Sequence, residues 1–388
     1  MSHSGTFTKL ADTLSGIPAA QWNALNHQHD PFLSHEFLIA LERNDAVGST
    51  FGWFPQYILA YNDNDELIGA MPMYAKDNSY GELVFDWAWA DAYQRNGLRY
   101  YPKLVVAIPY TPATGERLLT KNDDPIVRQA MLETALSHCQ EGRYSSLHVL
   151  FPEEAQIIEL ESQGLSHRMD VQYHWFNQEY HDFDDFLSRM TSSKRKKIRR
   201  ERRQVKEAGV ELYIRLGSEL DEDEWQDVFR FYHSTFDRKY GYATLNLSFF
   251  LEELGQTMGE RLVIVFARQQ GRNIAAAINF CSHDALYGRH WGCDVHIDGL
   301  HFETCYYQGI QYAIENGLQR FEPGAQGEHK LARGFEPVLT YSAHWIQHPE
   351  FRKVIDKHLV HERRAIKDYQ DECKLHTPFK QSNFHNAD

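Results

Sequence analysis

Five cysteines stand in a chain of 388 residues, and no two of them form a CxxC pair. An odd count without that spacing excludes a disulfide framework and a zinc ribbon. Cys281, Cys293 and Cys305 fall twelve apart, but on separate expected elements, so they read as small buried apolar residues. The 21 histidines include no HExxH, and no metal site is expected. Long apolar runs are lacking too. "LVVAI" (Leu104–Ile108) is far shorter than the ~20 residues a membrane helix needs, so no transmembrane segment is expected. The opening "MSHSGTFTKLADTLSG" has no charged-then-apolar signal pattern. The expected location is therefore cytoplasmic.

What is present is enough apolar surface to build cores: 42% hydrophobic residues and 13% aromatic, which excludes a disordered chain. The length suits two domains of ~100–200 residues each. Two β-hairpins compare directly, "QYILAYNDNDELIGAMPMY" (Gln56–Tyr74) and "LVIVFARQQGRNIAAAINF" (Leu262–Phe280). Ile58 matches Ile264, and Ile68-Gly69-Ala70 matches Ile274-Ala275-Ala276, both at an offset of 206. "ATGER" (Ala113–Arg117) parallels "AQGEH" (Ala325–His329) at an offset of 212. Similar elements in one order imply an internal duplication. Helix patterns at 125–139, 152–162 and 301–316, with strands at 146–151 and 167–176, give an α/β (α+β layered) class with mixed sheets flanked by helices. A last amphipathic helix runs from Phe351 to Cys373, with Phe351, Val354, Ile355, Leu359, Ile366 and Tyr369 as its stripe.

The charge is distributed unevenly. The whole chain is at −14, yet Lys194–Lys206 in "SSKRKKIRRERRQVKEAGV" carries nine Lys/Arg against one Glu. A helix over 193–208 is expected, with Ser192 or Ser193 as its N-cap and Gly209 as its stop. Ile198, Val205 and Ala208 leave it only a thin apolar seam. Like charges at i,i+4, such as Arg195/Arg199 and Lys196/Arg200, each cost roughly 0.2–0.5 kcal/mol. A polyanion would relieve that repulsion and give steep salt dependence. Lys194, Arg195, Lys197, Arg199, Arg200, Arg202 and Arg203 are the candidate polyanion-binding residues. The competing reading is a solvated face balanced by Asp184, Asp185 and Asp221–Glu224.

"RFEPGAQGEHKLARGFEP" (Arg320–Pro337), "YGRHWGCD", "HFETCYYQG" and "PYTPATGERLL" resemble the FemAB-like N-acyltransferase family, within the GCN5-related (GNAT) superfamily. The likeness runs from "DPFLSHEFLIALE" (Asp30–Glu42) to the C-terminal helix. It implies tandem GNAT-like domains, drawn at 1–178 and 179–388, the second holding the basic helix and the C-terminal helix. FemABX transferases use aminoacyl-tRNA to extend a nucleotide- or lipid-linked muropeptide, and a basic helix-to-strand passage occurs in their second domain. The resemblance therefore implies tRNA or another phosphate-rich ligand as partner, an amine-bearing acceptor, a role in peptidoglycan biosynthesis, and peripheral contact with an anionic membrane. The long helical arm of FemA-type enzymes has no room here.

Acyl transfer to an amine needs a polarised carbonyl and a route for a proton. In GNAT-like folds a backbone amide on a splayed strand polarises the carbonyl, which here points to Trp291–Asp294. The polar run "EPGAQGEHKLARG" supplies candidates for the rest. Glu328 or His329 is the expected proton acceptor, with Lys330 and Arg333 holding an anionic group or the oxyanion. Glu322 and Asp294 complete the catalytic candidates; Gln326, His290, Trp291 and Tyr307 are candidate substrate contacts. The competing reading is a loop fixed by its own salt bridges. The pyrophosphate-binding turn of acetyl-CoA enzymes (Gln/Arg-x-x-Gly-x-Gly/Ala) is missing: "CDVHIDGLHFE" has one glycine. Aminoacyl-tRNA is thus the preferred co-substrate and acyl-CoA the alternative, with no tightly bound cofactor. A non-catalytic polyanion-binding protein is the reading from another class. The aromatic stretches "FGWFPQY", "VFDWAWADAY" and "RYYPK" read as an acceptor groove or as core.

Overall fold

The computed structural model describes residues 5–239, 242–325 and 327–380. They form two compact units, each assembled from separated segments. The first comprises Met1–Asp170, Thr244–Met258 and Leu339–Lys367; the second comprises Val171–Ala243, Gly259–Val338 and Asp368–Asp388.

Eight strands open the first unit: β1 (Phe7–Ala11), β2 (Trp53–Pro55), β3 (Tyr57–Tyr61), β4 (Leu67–Met71), β5 (Met73–Lys76), β6 (Lys103–Val106), β7 (Leu119–Thr120) and β8 (Ser146–Leu150). β1, β3, β4 and β7 make one antiparallel sheet, and β2, β5, β6 and β8 lie side by side in another. Helix α1 (Trp87–Arg95) precedes β6. Helix α2 (Pro125–Glu141) links β6 to β8, which run parallel. Asp124 caps α2 by accepting from the N–H of Ile126 (2.9 Å), and Pro125 sits at its first position. Met131, Leu132 and Ala135 of this helix bury against Ile58, Met73, Leu104, Val106 and Val149. That packing is the unit's core.

A long strand, β9 (Ser166–Phe176), leads out of this unit. The second unit adds helix α3 (Ser192–Glu207), β10 (Val210–Leu216), helix α4 (Glu222–Lys239), β11 (Leu262–Gln269), β12 (Arg272–Cys281), β13 (Ala285–Cys293), helix α5 (Gln308–Glu315) and β14 (Arg320–Glu322). β10 to β13 are consecutive antiparallel neighbours, and α5 carries the chain over to β14, parallel to β13. β15 (Glu336–Ile346) and helix α6 (Pro349–Leu375) follow. Val354, expected on the buried stripe of that last helix, is 68% exposed, whereas Ile355 and Leu359 are buried.

The same element order occurs twice. An edge strand, a hairpin, a further antiparallel strand, a crossover helix and a parallel strand recur as β1, β3/β4–β5, β6, α2, β8 and as β10, β11/β12, β13, α5, β14. Pro72 interrupts β4–β5, where a continuous strand would need its missing N–H. Both hairpins shift register beside the turn, at Ala60/Tyr61 and at Ala267/Arg268. The duplication read from the hairpins thus has a counterpart in topology. The ATGER/AQGEH match does not: "ATGER" follows β6, before the crossover helix, whereas "AQGEH" follows β14, after it. Both are Gly-containing turns after a strand, which is enough to make short sequences alike.

Each half of the sequence also supplies a strand to the other unit. Trp175 and Phe176 of β9 pair with Phe321 and Arg320 in the second unit. Ser342–Ile346 of β15 pair with Leu150–Ser146 of β8 in the first. A single sequence boundary at 178 describes chain order, while the compact units are interleaved along it.

Candidate functional site

The site in the second unit begins with a defect in β13. Ile278 pairs with His290 and Asn279 with Gly288, so Arg289 is an extra, bulged residue. The parallel pairing of β13 with β14 covers only Ala285–Tyr287, yet its pairing with β12 continues to Cys293. Residues 288–293 therefore diverge from β14, and on that edge their backbone groups have no strand neighbour among the described residues. The pairing with β14 ends after Tyr287, ahead of the Trp291–Asp294 stretch where a splay is expected. Gly292 lets α4 come against the open strand: a Cβ there would lie 1.8 Å from the carbonyl oxygen of Phe231.

The segment after β14 starts beside the open strand: a Cβ at Gly324 would lie 3.6 Å from the carbonyl oxygen of Gly288. Gly324, Gly327 and Gly334 have φ of 93°, 121° and 93°, so the chain makes bends that other residues adopt only with strain. Between them Glu328–Arg333 form a 3-10 turn. Lys330 on this turn is 1% exposed, and its ammonium donates to the carbonyl of Gly324 (2.6 Å). Burial pushes it down to about 7, with Cys305 opposing weakly. Near neutral pH a large fraction of Lys330 is thus an uncharged amine. That suits it to accept a proton.

Arg333 is buried and committed elsewhere. Its guanidinium donates to Glu201 (2.9 Å), to the Tyr307 hydroxyl (3.0 Å) and to the carbonyl of His329 (2.9 Å), and it lies over the Phe302 ring at 3.4 Å. Tyr307 donates to the second oxygen of Glu201. In this structure Arg333 and Tyr307 fasten the 3-10 turn to α3 and to a π-helical turn at Glu303–Tyr307. Such π turns are common next to functional sites. The expected roles in anion and substrate contact do not fit those commitments. Glu201, the lone acid of the basic run, was not singled out in the sequence. Its signal was there: it falls three residues after Ile198 and four before Val205, on the apolar seam.

The other candidates scatter. His329 is exposed and shares a hydrogen bond with Tyr306 (2.9 Å); burial, then Arg333 and Lys330, push it below its usual range. Glu328 is exposed and accepts from Tyr369 (2.7 Å). Glu322 is buried at the end of β14, accepting from Arg320 (3.0 Å). It also opposes the burial that pushes Arg289 down to about 10. His290 packs edge-on to Tyr232 and is pushed down to about 3 by burial and Arg289, hence neutral. Trp291 on the open strand stacks obliquely on His301. Asp294 lies past the strand end in ion pairs with Arg230 and Arg272. Gln326 lies outside the described residues. The structure thus places His329, Lys330 and the π turn with Tyr306 together and leaves Asp294 outside that group.

Helix α3 shows the basic run in detail. Its buried face is Ile198, Glu201 and Val205; Ala208, expected on that seam, is exposed just past the helix end. Thr191 takes the N-cap position expected of a serine, and Gly209 ends the helix with φ 75°. Arg202 donates to Glu303 (3.1 Å) and Gln311 (3.1 Å) and covers the Phe183 ring at 4.5 Å, so it packs the helix down. Arg199 pairs with Asp184 (2.9 Å) and Arg203 with Glu207 (3.7 Å), while Arg195 leans on the carbonyl of Ser188. Lys194, Lys196, Lys197, Arg200 and Lys206 have no acidic partner within 4 Å among the described residues. Of the balancing acids expected, Asp184 meets this helix, while Asp185 pairs with Arg189 and Glu224 with Arg215.

In the first unit the corresponding opening is filled. β6 and β8 pair over Leu104–Val106 and Leu147–Val149, then Gly115 bridges Pro152. Arg117, wholly buried, donates to the carbonyls of Leu150 (2.8 Å) and Ala113 (2.6 Å). Residues 113–117 plug the gap that β13 and β14 leave open.

A strand–hairpin–strand–helix–strand order, present twice with a bulged and splayed fourth strand in the second copy, defines a tandem GNAT-type fold. The chain belongs to the FemAB-like family, described as peptidoglycan biosynthesis/recognition, whose sequence model matches residues 13–381. Among solved structures it is similar to FemX, at 10% identity and a TM-score of 0.55 over 88% of this chain and 98% of that one. It is equally similar to the C-terminal domain (DUF2156) of an Agrobacterium fabrum protein assigned as a lysylphosphatidylglycerol synthetase, at 8% identity, TM-score 0.55, and 88% and 95% coverage. A tandem GNAT protein from the clavulanic acid biosynthesis pathway aligns at 8% identity and a TM-score of 0.47, covering 89% of this chain and 99% of that one. No curated protein matches the sequence. Among the described residues no helix is long and apolar enough to cross a membrane, and no group of His, Cys, Asp or Glu is arranged to hold a metal ion.

Proposed function

We propose that this protein is an N-acyltransferase, and that the transfer occurs in the second unit where β13 diverges from β14. The observation that carries the reading is the open strand edge together with a buried amine pushed down to about 7, Lys330, whose hydrogen-bond acceptor Gly324 lies beside Gly288 at the start of that edge. Backbone N–H groups of residues 288–293 would polarise the acyl carbonyl. The acceptor nitrogen attacks; the new C–N bond forms as the C–O bond of an ester donor, or the C–S bond of a thioester, breaks. Lys330 takes the proton from nitrogen and returns it, directly or through a water, to the departing oxygen or sulfur. Exposed His329, bonded to Tyr306, is the second candidate for moving that proton, and Glu328 the third.

An aminoacyl ester of tRNA is the preferred donor. Supporting it are the exposed stripe Lys196, Arg200 and Arg203 on α3, the family's peptidoglycan description, and the single-glycine turn after β13, which offers a CoA pyrophosphate little backbone cradle. Acyl-CoA is the second reading, since the fold is GNAT-type. An amine on a peptidoglycan precursor or a lipid headgroup is the acceptor class, and contact with an anionic membrane through α3 belongs to the same reading.

The test is single-turnover deacylation of charged tRNA, and of acyl-CoA in parallel, with candidate amines. Lys330→Met and the reversal Lys196→Glu/Arg200→Glu/Arg203→Glu accompany the wild type. Salt-dependent tRNA binding lost in the reversal, with amide formation lost in Lys330→Met, supports the reading. Turnover of acyl-CoA without tRNA binding moves the donor to CoA. Binding of tRNA with no acyl product from any donor makes the chain a polyanion-binding protein.

A further inference from the structure

The first unit contains a buried charge cluster that the transfer step does not use. Lys103 is wholly buried; its ammonium donates to Glu82 (2.7 Å), to Ser79 (2.9 Å) and to Asp86. Removing three charges from water carries a penalty of several kcal/mol per ion, so such a cluster is weak evidence for stability alone. Two tyrosines belong to it. Tyr100 donates to Asp86 (2.6 Å), and Tyr101 shares a hydrogen bond with Ser79 (2.8 Å). Both tyrosines line a surface groove of about 530 Å³ beside α1. The cluster thus holds the groove's floor in place from beneath.

The rest of the lining alternates in character: Trp87 and Leu98 are apolar, Asp91, Gln94 and Arg99 polar. Trp87 is 49% exposed, with Tyr80 (67% exposed) edge-on to it at 5.3 Å and Phe85 also exposed. Three of the five exposed large aromatics that the described residues contain (Phe7, Tyr80, Phe85, Trp87, Tyr242) lie within these eight positions. Arg99 has no acidic partner within 4 Å among the described residues, and Asp91 is paired with Arg95 through one oxygen (2.7 Å). The volume lies in the ~300–1,000 Å³ range of small-molecule sites.

We propose that this groove is a saccharide-binding site, with Trp87 and Tyr101 taking the C–H face of a pyranose ring and Asp91, Gln94 and Arg99 bonding its hydroxyls. A sugar ring has one apolar face and a polar rim, which matches exposed aromatics interleaved with planar polar groups. A membrane-inserting patch has the same aromatics but not Asp91 and Gln94 between them. The site concerns binding alone and stands whether or not the second unit transfers acyl groups.

The probe is fluorine NMR of the full chain labelled with 5-fluorotryptophan, the Trp87 resonance being assigned by its loss in Trp87→Phe. Chitotetraose, cellotetraose and maltotetraose are titrated to millimolar concentration, and anionic vesicles are tested by co-sedimentation. At least one saccharide is expected to shift the Trp87 resonance with saturation, with apparent affinity at least tenfold lower in Arg99→Ala and in Asp91→Asn. Trp87→Phe should retain binding measured by calorimetry, and Trp87→Ala should lose it while melting as the wild type does. No saccharide moving Trp87, unchanged affinity in the Arg99 and Asp91 variants, or vesicle binding that needs Trp87 without any sugar response, each overturns the proposal.

Discussion

At the scale of single residues, two buried groups of the second unit carry the clearest consequences. Lys330 folds with its amine pushed down from the ordinary lysine range to about 7. A base must be uncharged to accept a proton, so transfer should rise with pH through about 7 and level off above it. Lys330→Met should lower the rate by roughly 10²–10⁴ and flatten that profile. The stability sign follows from the same shift: between about 7 and the unfolded lysine range the unfolded chain binds the extra proton, so stability rises with pH there. Urea midpoints of the wild type should climb over that window, and those of Lys330→Met should climb less. Glu201 is the other case. Glu201→Gln leaves Arg333 charged and buried beside a neutral amide, a change of roughly 3–5 kcal/mol on the scale of broken buried ion pairs. A drop in the denaturant midpoint at constant m-value would register it.

At the scale of elements, α3 divides the cationic run into packing and exposed charges. Arg202→Glu sets a carboxylate against Glu303 and strips the cover from Phe183, so a clear fall in melting temperature is expected. Arg200→Glu, exposed and without an acidic neighbour, should stay within about 0.5 kcal/mol of the wild type. If α3 contacts phosphates, the exposed reversals should also reduce the slope of log affinity against log salt by about 0.7–0.9 for each contact removed. The meeting of α4 with β13 is the second element-scale contact. Gly292→Ala forces a Cβ into the carbonyl oxygen of Phe231, 1.8 Å away, and must displace the helix from the open strand. Loss of both stability and turnover is expected, measurable by calorimetry and by the deacylation assay.

At the scale of the whole chain, the interleaved units set the limits of truncation. Residues 1–178 lack Ser342–Ile346, which pair with β8. They also lack 244–258, including the buried Phe249, Phe250 and Leu254 of the first unit. A 1–178 fragment expressed alone should therefore melt without a cooperative transition by circular dichroism, despite containing a full hairpin and crossover. A sharp two-state melt would show that these segments are dispensable.

The amino-acid sequence by itself determined whatever depends on local periodicity and spacing. Both hairpins, α2 behind Asp124-Pro125, the basic helix with its stop at Gly209 and the strand at 146–150 all declare themselves within a window of ten to twenty residues. It also carried the family, because motifs such as "EPGAQGEHKLARG" are local strings. Tertiary structure alone decided which of the charged side chains are available. Arg333 and Arg202 look like free cations in sequence, yet partners more than a hundred positions away consume them. Glu201 looks like a break in a cationic run and proves to be its buried anchor. The strand exchange and the filled opening in the first unit were equally illegible. Each depends on pairings between segments far apart in the chain, such as β15 with β8, and no local pattern encodes which distant strand will complete a sheet.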